Sequence, residues 1–206
     1  MTTFVFRTFL TLFVVMDPVG LGPLFLGLAG RRSAPERLQV ARKAVLVASG
    51  IMLVFTVGGS VLLRYLNISL DAFRVAGGVL LFRIAVDMVF AQLERETEEE
   101  EREARTRRDI SVFPLAIPLI AGPGALATVM ILAGEAHAYR GGIFLVLATV
   151  AVVLGIVYLG LALSAHTARL LRQTGVNVVT RVFGVLLAAL AVQYAADGIR
   201  GLLGRP

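Results

Sequence analysis

Long apolar stretches, rather than alternating apolar and polar positions, dominate this chain of 206 residues. A helix needs about 20 largely apolar residues to cross the hydrocarbon core of a membrane. On that template the sequence predicts six membrane-spanning helices, at residues 4–28, 44–63, 72–93, 112–133, 143–165 and 178–203. Because the stretches lack strict alternation, the pattern favours an all-α membrane protein over a β-barrel.

Composition and charge agree with a membrane location. Hydrophobic residues make up 57% of the chain and charged residues 17%, against about 45–50% and about 25% in soluble domains. The net charge of +6 is therefore read as an orientation signal and not as a sign of nucleic-acid binding. Thirteen of the 20 Lys and Arg residues fall in the first, third and fifth connections when Arg181, at the start of the sixth span, is counted with the fifth. The positive-inside rule then places these connections in the cytoplasm and both termini outside.

Several kinds of chemistry are disfavoured by what the chain lacks. It has no cysteine and only two histidines, His137 and His166, so thiolate sites and histidine-ligated metal sites are not expected. The sequence contains no Walker-type phosphate-binding loop, which argues against ATP as a driving force. We expect no cofactor, no metal and no enzymatic activity.

The chain divides into two similar halves, residues 1–93 and 112–206, joined by a charged linker at 94–111. The stretch that begins Gly78-Val79-Leu80-Leu81 recurs at Gly184-Val185-Leu186-Leu187, and Ala85-Val86 recurs at Ala191-Val192, at a constant offset of 106. Eight of the 14 acidic residues lie between Glu94 and Asp109, with i,i+4 Glu–Arg pairs that favour a helical extension of the third span. The linker is interpreted as a solvated connection, with a regulatory or partner-binding role as the alternative.

An odd number of spans per half has a topological consequence. The second half enters the membrane from the opposite face, so the two halves form an inverted repeat of three helices each. Two such units pack about a pseudo-two-fold axis in the membrane plane, and their two arrangements open the centre to opposite sides. This is the architecture of alternating access.

The prolines predict where the helices break. Five of the seven lie in the first and fourth spans, as Pro18, Pro23, Pro114, Pro118 and Pro123. Proline removes an amide donor and clashes with the preceding turn, and neighbouring glycines lower helix propensity further. We therefore predict discontinuous helices near 17–23 and 121–125. The alternative is a pair of proline kinks that only shape the bundle.

Broken helices in a membrane must face protein or a wet cavity, because unsatisfied backbone groups are costly in lipid. Half-helix N-termini suit a carboxylate and half-helix C-termini suit an ammonium group, so a zwitterionic amino acid matches both. Gaps in matching spans point to the binding site of a transporter. The candidate substrate-binding residues are Asp17, Pro18, Gly20, Pro23, Gly122, Pro123, Gly124 and Gln193.

Three ionisable residues lie at membrane depth. Asp17 is either a protonatable coupling site or a local cap on the amides beyond the break. Arg83 and Asp87, at i,i+4, are either an ion pair that lowers the cost of insertion or residues that change partner during transport. Gln193 matches Asp87 in the second half, which suggests that both face the central axis.

Two other classes of function stay open. A passive channel, an exporter of other small solutes or a membrane scaffold would share the same broken architecture. An intramembrane enzyme is the weaker alternative: it would need Asp17 and Asp87 to share one site, or a dyad of Ser164 and His166, which lie near the membrane interface. The small-residue stripe of Gly184, Ala188, Ala191 and Ala195 indicates close helix packing and permits a homo-oligomer.

The stretches MDPVGLGPLF (16–25) and PLAIPLIAGPGALAT (114–128), with AVDM (85–88) and AVQY (191–194), resemble the MarC family, also called UPF0056. The resemblance covers essentially the whole chain. It implies a six-span protein of the bacterial or archaeal cytoplasmic membrane, and relatives of the SnatA type imply proton-coupled transport of small neutral amino acids such as glycine and alanine. The motif residues carried over are Asp17, Pro18, Gly20, Pro23, Gly122, Pro123 and Gly124. The charged linker is longer than the resemblance leads us to expect.

Overall fold

The computed structural model describes residues 1–29, 32–90 and 109–204, and of residues 165–173 it describes only the backbone. Every regular element in these ranges is helical: α1 (Thr2–Met16), α2 (Leu21–Ala29), α3 (Ala34–Tyr65), α4 (Leu70–Phe90), α5 (Ser111–Ile120), α6 (Pro123–Ala136), α7 (Gly142–Ala162) and α8 (Ser164–Leu203). The all-α prediction is therefore confirmed for this part of the chain. The predicted linker at 94–111 lies outside the described residues except for its last three.

Four stretches are long and apolar enough to cross a membrane: Thr2–Ala29, Ala34–Tyr65, Gly142–Ala162 and Thr174–Leu203. The bent pair α5–α6 adds a fifth if it is counted as one span. Helix α4, predicted as the third span, is too rich in charge to qualify as a span by composition. Its 21 residues include Asp71, Arg74, Arg83 and Asp87. Its length of about 31 Å nevertheless matches the hydrocarbon core.

Two helices extend beyond the membrane spans that the sequence predicts. Helix α3 begins at Ala34, ten residues before the predicted span at 44–63, because Ser33 and Glu36 form a capping box and Pro35 occupies the first turn. The fifth connection, which joins the predicted spans at 143–165 and 178–203, is helical: only Leu163 separates α7 from α8, which runs for 40 residues. Neither Gly nor Pro interrupts residues 164–174, so no local break opposes the helix there.

Side-chain contacts show which helix ends lie together. The ion pair between Arg7 and Glu135 brings the start of α1 to the end of α6, and the ring of Phe4 stacks on that of Tyr139 at 4.5 Å. We call this the N-terminal end of the bundle. At the opposite end, Lys43 in α3 forms an ion pair with Asp109 just before α5.

The closest helix packing joins α4 to α8. A β-carbon added to Gly78 would lie 2.7 Å from the carbonyl oxygen of Ala191, and one added to Gly184 would lie 3.1 Å from the carbonyl oxygen of Ala85. These two contacts are reciprocal, because Gly78 corresponds to Gly184 and Ala85 to Ala191 at the offset of 106. Reciprocal pairs of this kind are what a two-fold relation between equivalent surfaces produces.

Many large apolar side chains lie on the outside of the bundle. They include Leu46, Val54, Val79, Phe82, Phe144, Leu159, Val185 and Val192. A water-soluble protein rarely exposes apolar surface on this scale. In lipid the same surface needs no cover, and the helices satisfy their backbone groups internally.

Candidate functional site

The first break lies between α1 and α2. Helix α1 ends at Met16, and the next residue, Asp17, adopts a left-handed conformation with φ 38° and ψ 66° and donates its amide to the carbonyl of Phe13. Pro18 follows, and α2 begins again at Leu21. The predicted interruption at 17–23 is confirmed but shorter: Pro23 lies in the first turn of α2, where a missing donor costs little.

The carboxylate of Asp17 accepts two hydrogen bonds. One comes from the amide of Gly20 at 3.0 Å and one from the hydroxyl of Thr180 in α8 at 3.1 Å. A β-carbon at Gly20 would overlap the Asp17 carboxylate and would lie 3.0 Å from the Thr180 hydroxyl oxygen. Position 20 therefore requires glycine, because a side chain would collide with the Asp17 carboxylate. By accepting the Gly20 amide, Asp17 caps the start of α2, which is one of the two roles predicted for it.

The second break has two parts. Within α5 the backbone is extended at Phe113 and Ile117, with φ of −129° at both positions. Each residue precedes a proline, and that position disfavours helical backbone. The second part is a bend of 55° between α5 and α6, at Ala121 and Gly122, as the predicted interruption at 121–125 requires.

The starts of α2 and α6 differ in one respect. Pro18 corresponds to Pro123 at an offset of 105, so Asp17 corresponds to Gly122. The first intrahelical bond of α6 runs from the amide of Leu126 to the carbonyl of Gly122. The earlier amides of α6 thus lack intrahelical partners, and Gly122, which corresponds to Asp17, has no side chain that could cap them.

The two breaks meet inside the bundle. A β-carbon at Gly124 would lie 3.9 Å from Val15, two residues before Asp17, and 3.1 Å from Leu81 of α4. Gly160 of α7 approaches the first break equally closely, since its β-carbon would lie 3.0 Å from the carbonyl oxygen of Pro18. The site is therefore formed by both broken spans, with α4, α7 and α8 around them.

The remaining predicted site residues lie elsewhere on α4 and α8. Arg83 and Asp87 form the predicted i,i+4 pair, with Nε and Oδ2 3.1 Å apart. The Arg83 side chain is exposed and that of Asp87 is largely buried. Asp17 and Asp87 hydrogen-bond to different partners, so these bonds do not join them as a dyad.

The prediction that Gln193 faces the central axis is wrong. Gln193 is exposed on α8, and its amide donates to Asp197 at 2.8 Å. The buried face of α8 in this region carries Leu187, Ala191 and Tyr194. Gln193 follows Ala191 by two positions, which turns it about 200° away from that face.

Sequence reasoning missed three functional candidates. Thr180, whose hydroxyl contacts Asp17, is a lone hydroxyl residue at the start of an apolar run. Glu135 lies just beyond the end of the apolar fourth span, and Arg74 lies near the start of the third. Arg74 reaches Glu135 with Nη2 3.4 Å from Oε1. A single charged or hydroxyl residue near the edge of a span was the available signal in each case.

Two buried hydroxyl groups also stand out. Thr8 in α1 and Thr128 in α6 are completely buried, and among the described residues their hydroxyl oxygens have no hydrogen-bond partner. Within the same part of the chain, no group of three or more His, Asp or Glu side chains has the arrangement needed to hold a metal ion.

Comparison with known proteins identifies the family. The profile described as "MarC family integral membrane protein" matches residues 2–203. A UPF0056 membrane protein of Methanocaldococcus jannaschii is 39% identical over 196 residues, which cover 95% of each chain. The UPF0056 membrane protein YvbG of Bacillus subtilis is 37% identical over 98% of this chain and 97% of its own. YhcE of Escherichia coli, also a UPF0056 membrane protein, is 34% identical over 96% and 92%, respectively. No solved structure matches the chain. The chain therefore belongs to the MarC family of integral membrane proteins, which has members in bacteria and archaea.

Proposed function

We propose that the protein is a secondary transporter of small neutral amino acids that works by alternating access at its two broken helices. The observation that carries this proposal is the meeting of the breaks: Val15 and Gly124, from opposite halves of the chain, come together beside Asp17. Paired broken spans at the interface of two repeats are typical of transporter binding sites.

The architecture behind this function is six spans arranged as two inverted halves, 1–93 and 112–206, with both termini outside. Helix α4 serves as the third span. Its start lies at the N-terminal end, where Arg74 contacts Glu135, and its second half packs on Gly184 in the middle of α8. The reciprocal contacts of Gly78 and Gly184 support the two-fold relation, and the positive charge of the odd connections supports the orientation.

The missing carboxylate at the start of α6 suggests how the substrate binds. Gly122 stands where the first half has Asp17, so the free amides beyond Pro123 are left for a carboxylate from outside the chain. A substrate carboxylate there would be stabilised by the same amide and dipole interactions that Asp17 provides for α2. The carbonyl groups that end α1 and α5 are the complementary site for an ammonium group.

Tight packing around the site favours a small substrate. Leu81 and Ile84 of α4 crowd Gly124 so closely that even a β-carbon there would contact both. A substrate that enters between these residues and Val15 displaces little volume only if its side chain is a hydrogen or a methyl group. Glycine and alanine are therefore the substrates that we propose.

Asp17 is the residue that we propose for proton coupling. Both of its hydrogen-bond partners, the Gly20 amide and the Thr180 hydroxyl, donate to it, so the ionised carboxylate is well satisfied. A proton on Oδ2 would compete with the Thr180 hydroxyl and weaken the contact between the first break and α8. Asp87, paired with Arg83, is the second protonatable candidate. We propose transport and not catalysis, because the two carboxylates have separate partners.

Reconstitution into proteoliposomes tests this function. We expect saturable uptake of labelled glycine and alanine that a pH gradient accelerates. Asp17→Asn should lose the acceleration, while Asp197→Asn, which removes a carboxylate at the end of α8, should retain it. Uptake equal to that of protein-free liposomes would reject the transporter, uptake that rises linearly with concentration would indicate a channel, and unchanged pH dependence in Asp17→Asn would reject Asp17 as the coupling residue.

A further inference from the structure

A cluster of charged side chains joins three helices at the N-terminal end of the bundle. Glu135 of α6 forms ion pairs with Arg7 of α1 and with Arg74 of α4. Arg74 also holds Asp71, with Nη1 and Oδ1 2.8 Å apart. The side chains of Arg74, Asp71 and Glu135 are at most 21% exposed. We call Arg7, Asp71, Arg74 and Glu135 the end cluster.

The surrounding helices are shaped to admit this cluster. Gly201 of α8 lies so close to Asp71 that a β-carbon would approach its carboxylate oxygens to 2.6 and 2.7 Å. A β-carbon added to Gly198, one turn earlier, would lie 3.0 Å from the backbone amide nitrogen of Val75. Tyr194, buried on the same helix, lies within electrostatic range of Glu135, Arg7 and Arg74. Because Gly198 and Gly201 have no side chains, α8 leaves room for Asp71 and its carboxylate.

The end cluster connects the two halves of the chain. Arg7, Asp71 and Arg74 belong to the first half and Glu135 to the second, so both ion pairs of Glu135 cross the boundary between the halves. The Arg83–Asp87 and Arg200–Asp197 pairs, by contrast, each lie within one helix. A movement of one half relative to the other must separate the two ion pairs of Glu135. It leaves the pairs that lie within one helix intact.

The interface between α1 and α6 leads from the end cluster to the breaks. The two helices are antiparallel, since Arg7 pairs with Glu135 at one end and Val15 meets Gly124 at the other. Thr8 and Thr128, the two completely buried threonines without partners, lie on these helices between the two ends. Buried hydroxyl groups without partners are costly in a dry interface, whereas in a wet passage water would satisfy them.

We propose that the end cluster is a gate: its Glu135 ion pairs hold the N-terminal end closed, and their separation opens a hydroxyl-lined passage between α1 and α6 to the broken helices. This proposal rests on the proposed function, because alternating access is the movement that opens the gate. The Glu135 carboxylate is largely buried in both ion pairs, and charge-assisted hydrogen bonds to a buried carboxylate contribute more than bonds between exposed groups.

Cysteine labelling tests the gate directly, because the chain has no native cysteine. Thr8→Cys places a reporter at a completely buried position whose hydroxyl has no partner to lose. The protein is reconstituted in nanodiscs and treated with a charged maleimide, which cannot enter the lipid. We expect slow labelling in the otherwise native chain and labelling at least about tenfold faster after Glu135→Gln, which corresponds to a shift of about 1.4 kcal/mol toward the open arrangement.

Two further variants make the result specific. Asp197→Asn removes the pair with Arg200 at the same end of α8 but within one helix, and it should leave the labelling rate unchanged. Arg7→Gln should accelerate labelling less than Glu135→Gln, because Arg74 still holds Glu135. Arg7 is about half exposed, so this variant keeps the test available if Glu135→Gln fails to fold.

Equal labelling in Glu135→Gln and Asp197→Asn, with both variants monodisperse and helical, would overturn the gate and leave the cluster as a static connection between helices. If only Arg7→Gln folds, labelling equal to that of the otherwise native chain would overturn it. The outcome is separable from that of the transport experiment. Faster labelling without amino acid flux would support the gate and reject the proposed substrate, whereas flux with unchanged labelling would support transport and reject the gate.

Discussion

Replacing Gly78 with alanine tests the close packing between α4 and α8. The new β-carbon would lie 2.7 Å from the carbonyl oxygen of Ala191 and 2.9 Å from the amide nitrogen of Ala195, whereas ordinary contacts begin at 3.4 Å. Both obstacles are backbone atoms, so a side-chain rotation cannot relieve the overlap. To restore an ordinary contact of 3.4 Å to the Ala191 oxygen, which would otherwise lie at 2.7 Å, the helices must separate by about 0.7 Å on this side.

Gly58 in α3 provides the matched control. An added β-carbon there has no atom within 4 Å. Both substitutions gain the same helix propensity, about 1 kcal/mol for glycine to alanine in a helix, so their difference isolates the cost of overpacking. Overpacking typically costs about 1–3 kcal/mol. We therefore expect Gly78→Ala to be less stable than Gly58→Ala by about 1–3 kcal/mol.

Gly184→Ala should give a smaller loss. Its nearest atoms, Met88 Cβ and Val89 Cγ2, lie at 2.9 Å, against 2.7 Å for the nearest atom at Gly78, and the Val89 methyl group can rotate away although Met88 Cβ is fixed to the backbone. Reversible unfolding in mixed micelles of increasing SDS fraction measures the free energies of unfolding of all three variants. If Gly78→Ala were as stable as Gly58→Ala, the close approach of α4 and α8, and with it the support for the two-fold relation, would be refuted.

Substitutions at three further positions test the first break and the opposite end of the bundle. Gly20→Ala should displace the Asp17 carboxylate, lower the free energy of unfolding by about 1–3 kcal/mol and abolish alanine uptake; native stability would contradict the geometry. Thr180→Ala should slow proton-driven alanine uptake while Thr180→Ser preserves it, and equal rates would show that the hydroxyl is unimportant. The hydrogen bond from Lys43 lowers the pKa of Asp109 to about 2. This pair should stabilise the protein above pH ~4 and lose its effect as the pH falls toward 2. Both side chains are about half exposed, so Lys43→Gln should cost less than about 1 kcal/mol at neutral pH. A cost that grows on acidification in SDS unfolding would contradict this assignment.

The helix breaks could be predicted from sequence because their causes are local. Pro18 and Pro123, with the glycines beside them, act on the backbone within one or two turns. The structure confirms both interruptions at the predicted positions. The irregular backbone at Phe113 and Ile117 has an equally local cause in the prolines that follow, although the predicted break begins only after them.

The contacts between distant residues could not be predicted in the same way. Thr180 contacts Asp17 across 163 positions and Glu135 contacts Arg7 across 128, and no periodicity in one sequence encodes such distances. Gln193 shows the limit of reasoning from a repeat: it matches Asp87 in register, but the buried face of α8 excludes it. Helix α4 shows the limit of reasoning from composition: its apolar stretch predicts a third span, but with four charged residues it does not qualify as one by length and composition.

Counterflow of labelled alanine tests the central claim most directly. Proteoliposomes are preloaded with unlabelled alanine and diluted into a trace of labelled alanine, with no pH gradient present. A carrier whose two broken helices expose one site alternately exchanges the two pools, so the labelled alanine should accumulate transiently above its external concentration. Entry that only approaches the external concentration, with no effect of the preloaded alanine, would contradict alternating access at this site.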